Sequence, residues 1–319
     1  MGGKIKVKST PGSGSTFSFE LTLPLSDLAP GKLTAEAFGA TDQTSALEGL
    51  AEPLQILLAE DNGTNQLVFS KMVQDIGVQL TIAHNGREAV ERAFSATFDA
   101  IFMDMRMPEM DGLEATREIR ARGGHLASIP IIALTANAFA DDIKACRDAG
   151  MNDFIAKPLR KKILIEKLAG VVSNSPQRFK QAKTRPQADL PVVAPAAVAM
   201  TDIAPVLDRA VLHALIEEIG IDGVRVTLDA FLGETAEQLN RLRGCSCDND
   251  RAEIKEEAHK IKGASRTFGL VQVSELARML EHSALQIVPS NFRDLLDRIE
   301  ACFSMARSEL EAALTESVA

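Results

Sequence analysis

With 319 residues, 45% of them hydrophobic and 25% charged, the chain has room for two ordinary domains plus linkers and enough apolar mass to bury real cores, which excludes a wholly disordered protein. A net charge of -9 argues against nucleic acid as the main partner, because a phosphate backbone is gripped by a basic surface. No apolar run approaches the ~18 residues of a membrane span, and the start MGGKIKVK lacks a signal-peptide core, so no membrane segment is expected and the chain reads as cytoplasmic.

Residues 1–25 alternate apolar and polar positions around the turn PGSGS, with Ile5 and Val7 on one arm and Phe17, Phe19, Leu21 and Leu23 on the other, which predicts a two-strand hairpin. Residues 26–53, rich in Ala, Gly, Thr and Ser with little periodicity, suit a linker. From 54 to 172 short apolar runs alternate with helical stripes, the pattern of βαβ units. Strands are predicted near 54–59, 78–83, 99–103, 130–134 and 153–156, giving a doubly wound, five-stranded parallel α/β sheet. Residues 173–204 carry four prolines among many alanines and read as a second linker. From 205 to 316 strand signals vanish and amphipathic stripes, at 211–219, 228–242, 276–287 and 292–310, predict an all-α bundle completed by the helix that bears His259.

Five polar residues end the apolar runs of the α/β segment: Glu60 and Asp61, Asp104, Thr135 and Lys157. They would meet at the carboxyl edge of the sheet, where open α/β sheets bind ligands. Carboxylates crowded there repel one another, and Mg²⁺ resolves the conflict because it takes hard oxygen ligands while keeping water. Asp104, ending the central strand before the tight loop MRMPEMDG, is the candidate nucleophile. Glu60 and Asp61 would hold the metal with help from the Arg106 carbonyl, Lys157 would neutralise phosphoryl oxygens, and the Thr135 hydroxyl would donate to one of them. An Asp or Thr alone at a strand end is ordinarily a helix cap, and a lone Lys a solvated charge; their co-occurrence on successive strands is what points to chemistry.

Residues 54–172 resemble a response-regulator receiver domain through AEDN, FMDMRMPEMDG, ALTANA and AKPL, in that order. The resemblance implies Asp104 as phosphoacceptor, Glu60 and Asp61 as metal ligands, and Thr135 and Lys157 as phosphoryl contacts. Phe154 stands where that family has its aromatic switch, and a plain core residue is the other reading.

In AHKIKGASRTFG, at about 100° per residue, Ile254, Ala258, Ile261, Ser265 and Phe268 share one face while His259, Lys262, Gly263 and Arg266 fall on another. The histidine is therefore expected to point outward. Gly263 would clear space for an approaching protein at a helix cost of about 1 kcal/mol, and Lys262 would keep the imidazole neutral and attract phosphoryl oxygens. Lys255, Lys260, Lys262 and Arg266 would form a basic patch for docking on an acidic receiver edge, although the segment is acidic overall. The segment resembles a histidine phosphotransfer (HPt) domain by its His-x-x-Lys-Gly motif.

Residues 1–25 look like the last strands of the ATP-binding domain of sensor histidine kinases, but the asparagine-bearing helix and glycine-rich lid of that family are missing, so no ATP site is expected. Together the resemblances imply the C-terminal part of a hybrid sensor histidine kinase. Its partners would be an upstream kinase core, which loads Asp104, and a downstream response-regulator receiver, which unloads His259. Two other readings stay open: a non-catalytic module gated by Asp104 phosphorylation, and reverse flow from His259 to Asp104 and water. Cys146, Cys245, Cys247 and Cys302 lack zinc-site spacing and read as reduced thiols, with a Cys245/Cys247 redox pair as the alternative.

Overall fold

The computed structural model describes residues 4–10, 14–20, 47, 50, 52–136, 140–173 and 205–316. The first two stretches form a hairpin by themselves: β1 (Lys4–Thr10) and β2 (Gly14–Glu20) pair antiparallel, with Lys4 opposite Glu20. The expected linker over 173–204, beyond its first residue, and most of that over 26–53 lie outside the described residues. At the end of the latter, Leu47 is buried in the sheet core and Leu50 packs against it, an apolar pair that the Ala-rich composition obscured.

The α/β segment is a five-stranded parallel sheet in the order β4-β3-β5-β6-β7, where β3 is Leu54–Ala59, β4 Val78–Ala83, β5 Ala100–Asp104, β6 Ile131–Thr135 and β7 Asp153–Ala156. Helices α1 (Gly63–Val73), α2 (Gly86–Ser95), α3 (Gly112–Ala121), α4 (Ala140–Ala149) and α5 (Lys161–Ser173) connect and follow them. Two strands run one residue further than their apolar runs, because the parallel ladder continues through polar residues: Asp104 pairs with Leu134, and Thr135 with Ala156.

Strand alternation splits the core in two. Ile56, Leu58, Phe102, Ile132 and Leu134 face α1 and α5, whereas Leu57, Ile101, Met103, Ile131 and Ala133 face the layer of α2, α3 and α4. Side chains cap three helices of this segment at their starts: Asn62 accepts from the Asn65 N–H, Asn85 from Glu88 and Asp111 from Glu114.

The second half is helical: α6 (Arg209–Gly244), α7 (Arg251–Thr267), α8 (Val271–Ser283) and α9 (Pro289–Glu316). The two stripes expected at 211–219 and 228–242 belong to one long α6, interrupted where Gly220 takes φ 74° and ψ 161°. That left-handed φ carries no penalty for a residue lacking Cβ. Phe231 stacks on Phe268 at 4.8 Å and meets Phe303 edge-on at 5.9 Å, fixing α6 against α7 and α9. The apolar cluster of this bundle is continuous with the α1/α5 side of the sheet, so helical bundle and sheet share one core.

The loop after β5 is held by a close backbone approach. A Cβ on Gly112 would lie 2.0 Å from the Asp104 carbonyl oxygen, and the Gly112 N–H donates to the Met105 carbonyl at 3.1 Å. We expect Gly112→Ala to destabilise the sheet domain by about 2 kcal/mol through overpacking. Chemical denaturation would detect this, and an unchanged midpoint would show that the loop relaxes freely.

Candidate functional site

Backbone ladder bonds carry the sheet's order into the residues at its carboxyl edge. The Glu60 N–H donates to Ala83 at 3.0 Å, Met105 to Leu134 at 3.2 Å and Lys157 to Thr135 at 2.7 Å. Glu60, Asp61, Asp104, Arg106, Thr135 and Lys157 consequently line one cleft, and His259, Lys260, Lys262, Gly263 and Arg266 of α7 line the same cleft from the opposite side. The Lys157–Pro158 peptide is cis.

Carboxylate oxygens of Glu60, Asp61 and Asp104 lie within 4.8 Å of one another. Lys157 bridges two of them, donating to Glu60 Oε2 at 2.6 Å and Asp104 Oδ2 at 2.5 Å. The other oxygens are engaged too: the Arg106 N–H donates to Asp104 Oδ1 at 3.2 Å, and Asn65 Nδ2 to Glu60 Oε1 at 2.8 Å. Burial lifts Glu60 to about 8 against the pull of Lys157, with the charges of Asp104 and Asp61 adding to the rise. Burial likewise lifts Asp61 to about 6, helped by Asp104 and opposed by Lys260 and Lys157. Lys157 loses hydration by burial, yet the two carboxylates more than compensate and hold its ammonium charged. Within the sheet domain one lysine is thus set against three carboxylates, a donor set that fits a hard divalent cation with all-oxygen preference.

On the facing helix, the imidazole of His259 contacts Glu281 of α8, Nδ1 to Oε1 at 2.8 Å, and Lys262 donates to Glu281 Oε2 at 2.6 Å. Burial favours the protonated form of Glu281, but the bonds from His259 and Lys262 prevail and hold its carboxyl at about 2. An ionised carboxylate only accepts, so the proton of the imidazole sits on Nδ1 and the Nε2 lone pair is left free. The 3.3 Å approach of Lys262 Nζ to the same Nδ1 is then a contact rather than a hydrogen bond, since both atoms carry hydrogens.

Several expectations change here. His259 does not point into open solvent: its side chain is 18% exposed, because the sheet domain covers that face of α7. Lys262 is buried and turned onto Glu281, and burial depresses its basicity. A helical wheel sorts positions around one axis and cannot register a second element packed on the polar face. Lys255 stays exposed and is absent from the cleft, so the basic patch reduces to Lys260, Lys262 and Arg266. Gly263 leaves room at the interface, where a Cβ would come 4.0 Å from Asn65 Nδ2; alanine fits, while a longer side chain would meet the sheet domain. Arg106 places its N–H on Asp104 and sends its guanidinium across to Glu281 Oε1 at 2.6 Å. Phe154 is half-buried on β7, packs on the second core cluster and does not border the cleft. Sequence reasoning missed Asn65 and Glu281; the first stands one helical turn past Asp61, a readable spacing, whereas nothing local marks Glu281. The four cysteines are free, with Cys146 and Cys247 buried.

Residues 56–169 match the response regulator receiver domain and residues 226–315 the Hpt domain. The chain is 26% identical over 307 residues to the sensory/regulatory protein RpfC of Xanthomonas campestris pv. campestris, covering 88% of this chain and 40% of that protein. It is 25% identical over 300 residues to the aerobic respiration control sensor protein ArcB of Escherichia coli O157:H7, covering 94% of this chain and 36% of that protein. The chain therefore spans less than half the length of these relatives. Among solved structures, the receiver domain of sensor histidine kinase PA1611 from Pseudomonas aeruginosa PAO1, with a magnesium ion in its active site cleft, is 43% identical, covering 38% of this chain and 99% of that one with a TM-score of 0.37. No helix among the described residues is long and apolar enough to cross a membrane.

Glu281 makes the bundle's stability depend on acid. Its folded value of about 2 lies below the ordinary 4.5, so its contribution is complete above pH 4.5 and is lost as pH falls toward 2. A shift of that size corresponds to roughly 3 kcal/mol. In Glu281→Gln we expect a lower denaturation midpoint at neutral pH and a flatter pH dependence across that window. Parallel wild-type and variant profiles would show that the carboxylate is not linked to folding.

Proposed function

From the premise that this chain is a receiver–Hpt part of a hybrid histidine kinase and works in two-component phosphorelay, we propose that Asp104 accepts a phosphoryl group from the phosphohistidine of an upstream kinase core and passes it to His259. The observation that carries the reading is the shared cleft: the Asp104 carboxylate and the imidazole of His259 line it from opposite sides.

In the first transfer an Asp104 carboxylate oxygen bonds to phosphorus as the donor's N–P bond breaks. In the second, the Nε2 lone pair of His259 bonds to phosphorus as the Asp104 O–P bond breaks and the carboxylate is released. No proton has to leave Nε2, because Glu281 keeps the imidazole hydrogen on Nδ1. Lys157, held charged, lies on Asp104 Oδ2 and would follow the developing charge onto the phosphoryl oxygens. Thr135, buried at the end of β6, is placed to donate to another. Glu60, Asp61 and Asp104, with the Arg106 carbonyl, would hold Mg²⁺, which when bound supplies positive charge to the phosphoryl oxygens. Lys260, 3.6 Å from Asp61 Oδ2, ties α7 to the metal side of the cleft. From His259 the group would pass to a separate receiver. The common cleft favours transfer over a purely interaction role for His259. Phe154 would act as the receiver's aromatic switch, turning on β7 when Asp104 is loaded.

With Mg²⁺ and a small-molecule phosphodonor, we expect stable acyl-phosphate on the wild-type chain and none on Asp104→Asn; equal labelling of both would refute Asp104. ATP alone should give no label, since the sequence holds no asparagine-bearing helix or glycine-rich lid, and efficient autophosphorylation would overturn that. His259→Gln should load Asp104 normally and pass nothing to a partner receiver.

Transfer should also be intramolecular. Asp104 and His259 already line one cleft of the same chain, so the acceptor is presented at a high effective concentration. A transfer rate independent of protein concentration is expected. Rescue at the wild-type rate on mixing His259→Gln with Asp104→Asn chains at low micromolar concentration would show transfer between chains instead.

A further inference from the structure

We infer that Glu234 is a docking residue that decides which receivers His259 serves, and that the receivers it fits are those whose first helix opens with a residue lacking a side chain followed by a hydroxyl residue. The inference rests on the phosphorelay reading above and adds a selectivity element to it.

The start of an α-helix leaves backbone N–H groups unsatisfied and carries partial positive charge, so a carboxylate from a neighbouring body is well placed there. At the start of α1, Asn62 satisfies the Asn65 N–H, which leaves Thr64 to be satisfied from elsewhere. Glu234 of α6 does so: its Oε2 accepts the Thr64 N–H at 3.0 Å and the Thr64 hydroxyl at 2.7 Å. Thr64 is completely buried while Glu234 is half-buried, so the threonine end of this pair of charge-assisted bonds is shielded from water.

Gly63 makes the approach possible. A Cβ at that position would lie 2.1 Å from Glu234 Oε1, so a side chain there would force the carboxylate to shift from this position. Glu234 is one turn from Phe231, whose ring stacks on Phe268, the neighbour of Thr267 on the interface. The bundle core thereby fixes Glu234 relative to the helix that carries His259.

Apart from the shared apolar core and the Arg160–Glu218 pair at 3.8 Å, the other polar contacts across this interface lie at the reacting site. Lys260 faces Asp61, Arg106 reaches Glu281, and Arg266 donates to the Ala136 carbonyl beside Thr135. Glu234 touches none of these groups, so it can alter docking and leave the chemistry intact. The residue it reads, Thr64, lies three positions after Asp61, where the receiver's own catalysis makes no use of the side chain. A downstream receiver must occupy the same face of α7 to reach His259, and it would therefore be read by the same carboxylate.

The test uses the full chain and two readouts. Hydrogen exchange should be slow at the Thr64 amide in the parent and markedly faster in Glu234→Ala; equal exchange would overturn the contact. For transfer, the Asp104 of each variant is first loaded with a small phosphodonor, and equal loading establishes an intact receiver. Thr64→Glu, which sets like charges against each other, should slow Asp104-to-His259 transfer at least tenfold. Adding Glu234→Lys to Thr64→Glu should restore most of that loss. A Thr64→Glu chain that transfers at the parental rate, or a double variant no faster than Thr64→Glu alone, would overturn the inference. A parent chain that loads Asp104 but never labels His259 would sink the phosphorelay reading instead, while Thr64 exchange would still decide the contact.

Discussion

Three carboxylates against the single lysine that the sheet itself supplies is the constraint on which the rest of the molecule turns. Glu60, Asp61 and Asp104 are forced together because each ends or follows a strand of one parallel sheet, and the ladder continues into them without a break. Burial amplifies the conflict, since the dielectric that lifts Glu60 to about 8 also strengthens its bond to Lys157. The site is therefore poised for added positive charge, which the cationic face of α7 brings and a hard cation would also supply.

The helical bundle answers the sheet's charge with a smaller network of its own. Glu281 receives His259 and Lys262 from α7 and Arg106 from the loop after β5, so one buried carboxylate links the imidazole to the strand end that carries Asp104. Breaking one member of such a network leaves a buried charge without its partner, which costs more than the pair contributes when intact. The shared apolar core behind the cleft supplies the rigidity that these polar contacts need, with α1 packed between the sheet and α6.

Much of this was readable in the residues. The five strands follow from short apolar runs broken by turn residues, and the site followed from noticing which polar residues ended them. Strand bounds slipped by a residue at Asp104 and Thr135, because hydrophobicity marks the buried part of a strand whereas hydrogen bonding defines its end. Helical periodicity placed His259 and Gly263 on a common face and separated them from Ile254, Ala258 and Ile261, which are fully buried. It erred in treating that face as solvent, and so gave Lys262 an outward role.

By itself the sequence determined a parallel α/β domain followed by a helical one, the acidic cluster with its lysine, and the histidine on a polar helical face, because each of these depends on local spacing or on the order of short runs. Only the tertiary structure decided that the two faces meet. Glu281 lies on a different helix from His259, and Glu234 lies far along the chain from Thr64, so no periodicity connects either pair. Their partnership comes from the way the bundle packs on α1, a contact between distant surfaces whose energy is spread over many apolar side chains and written in no single motif.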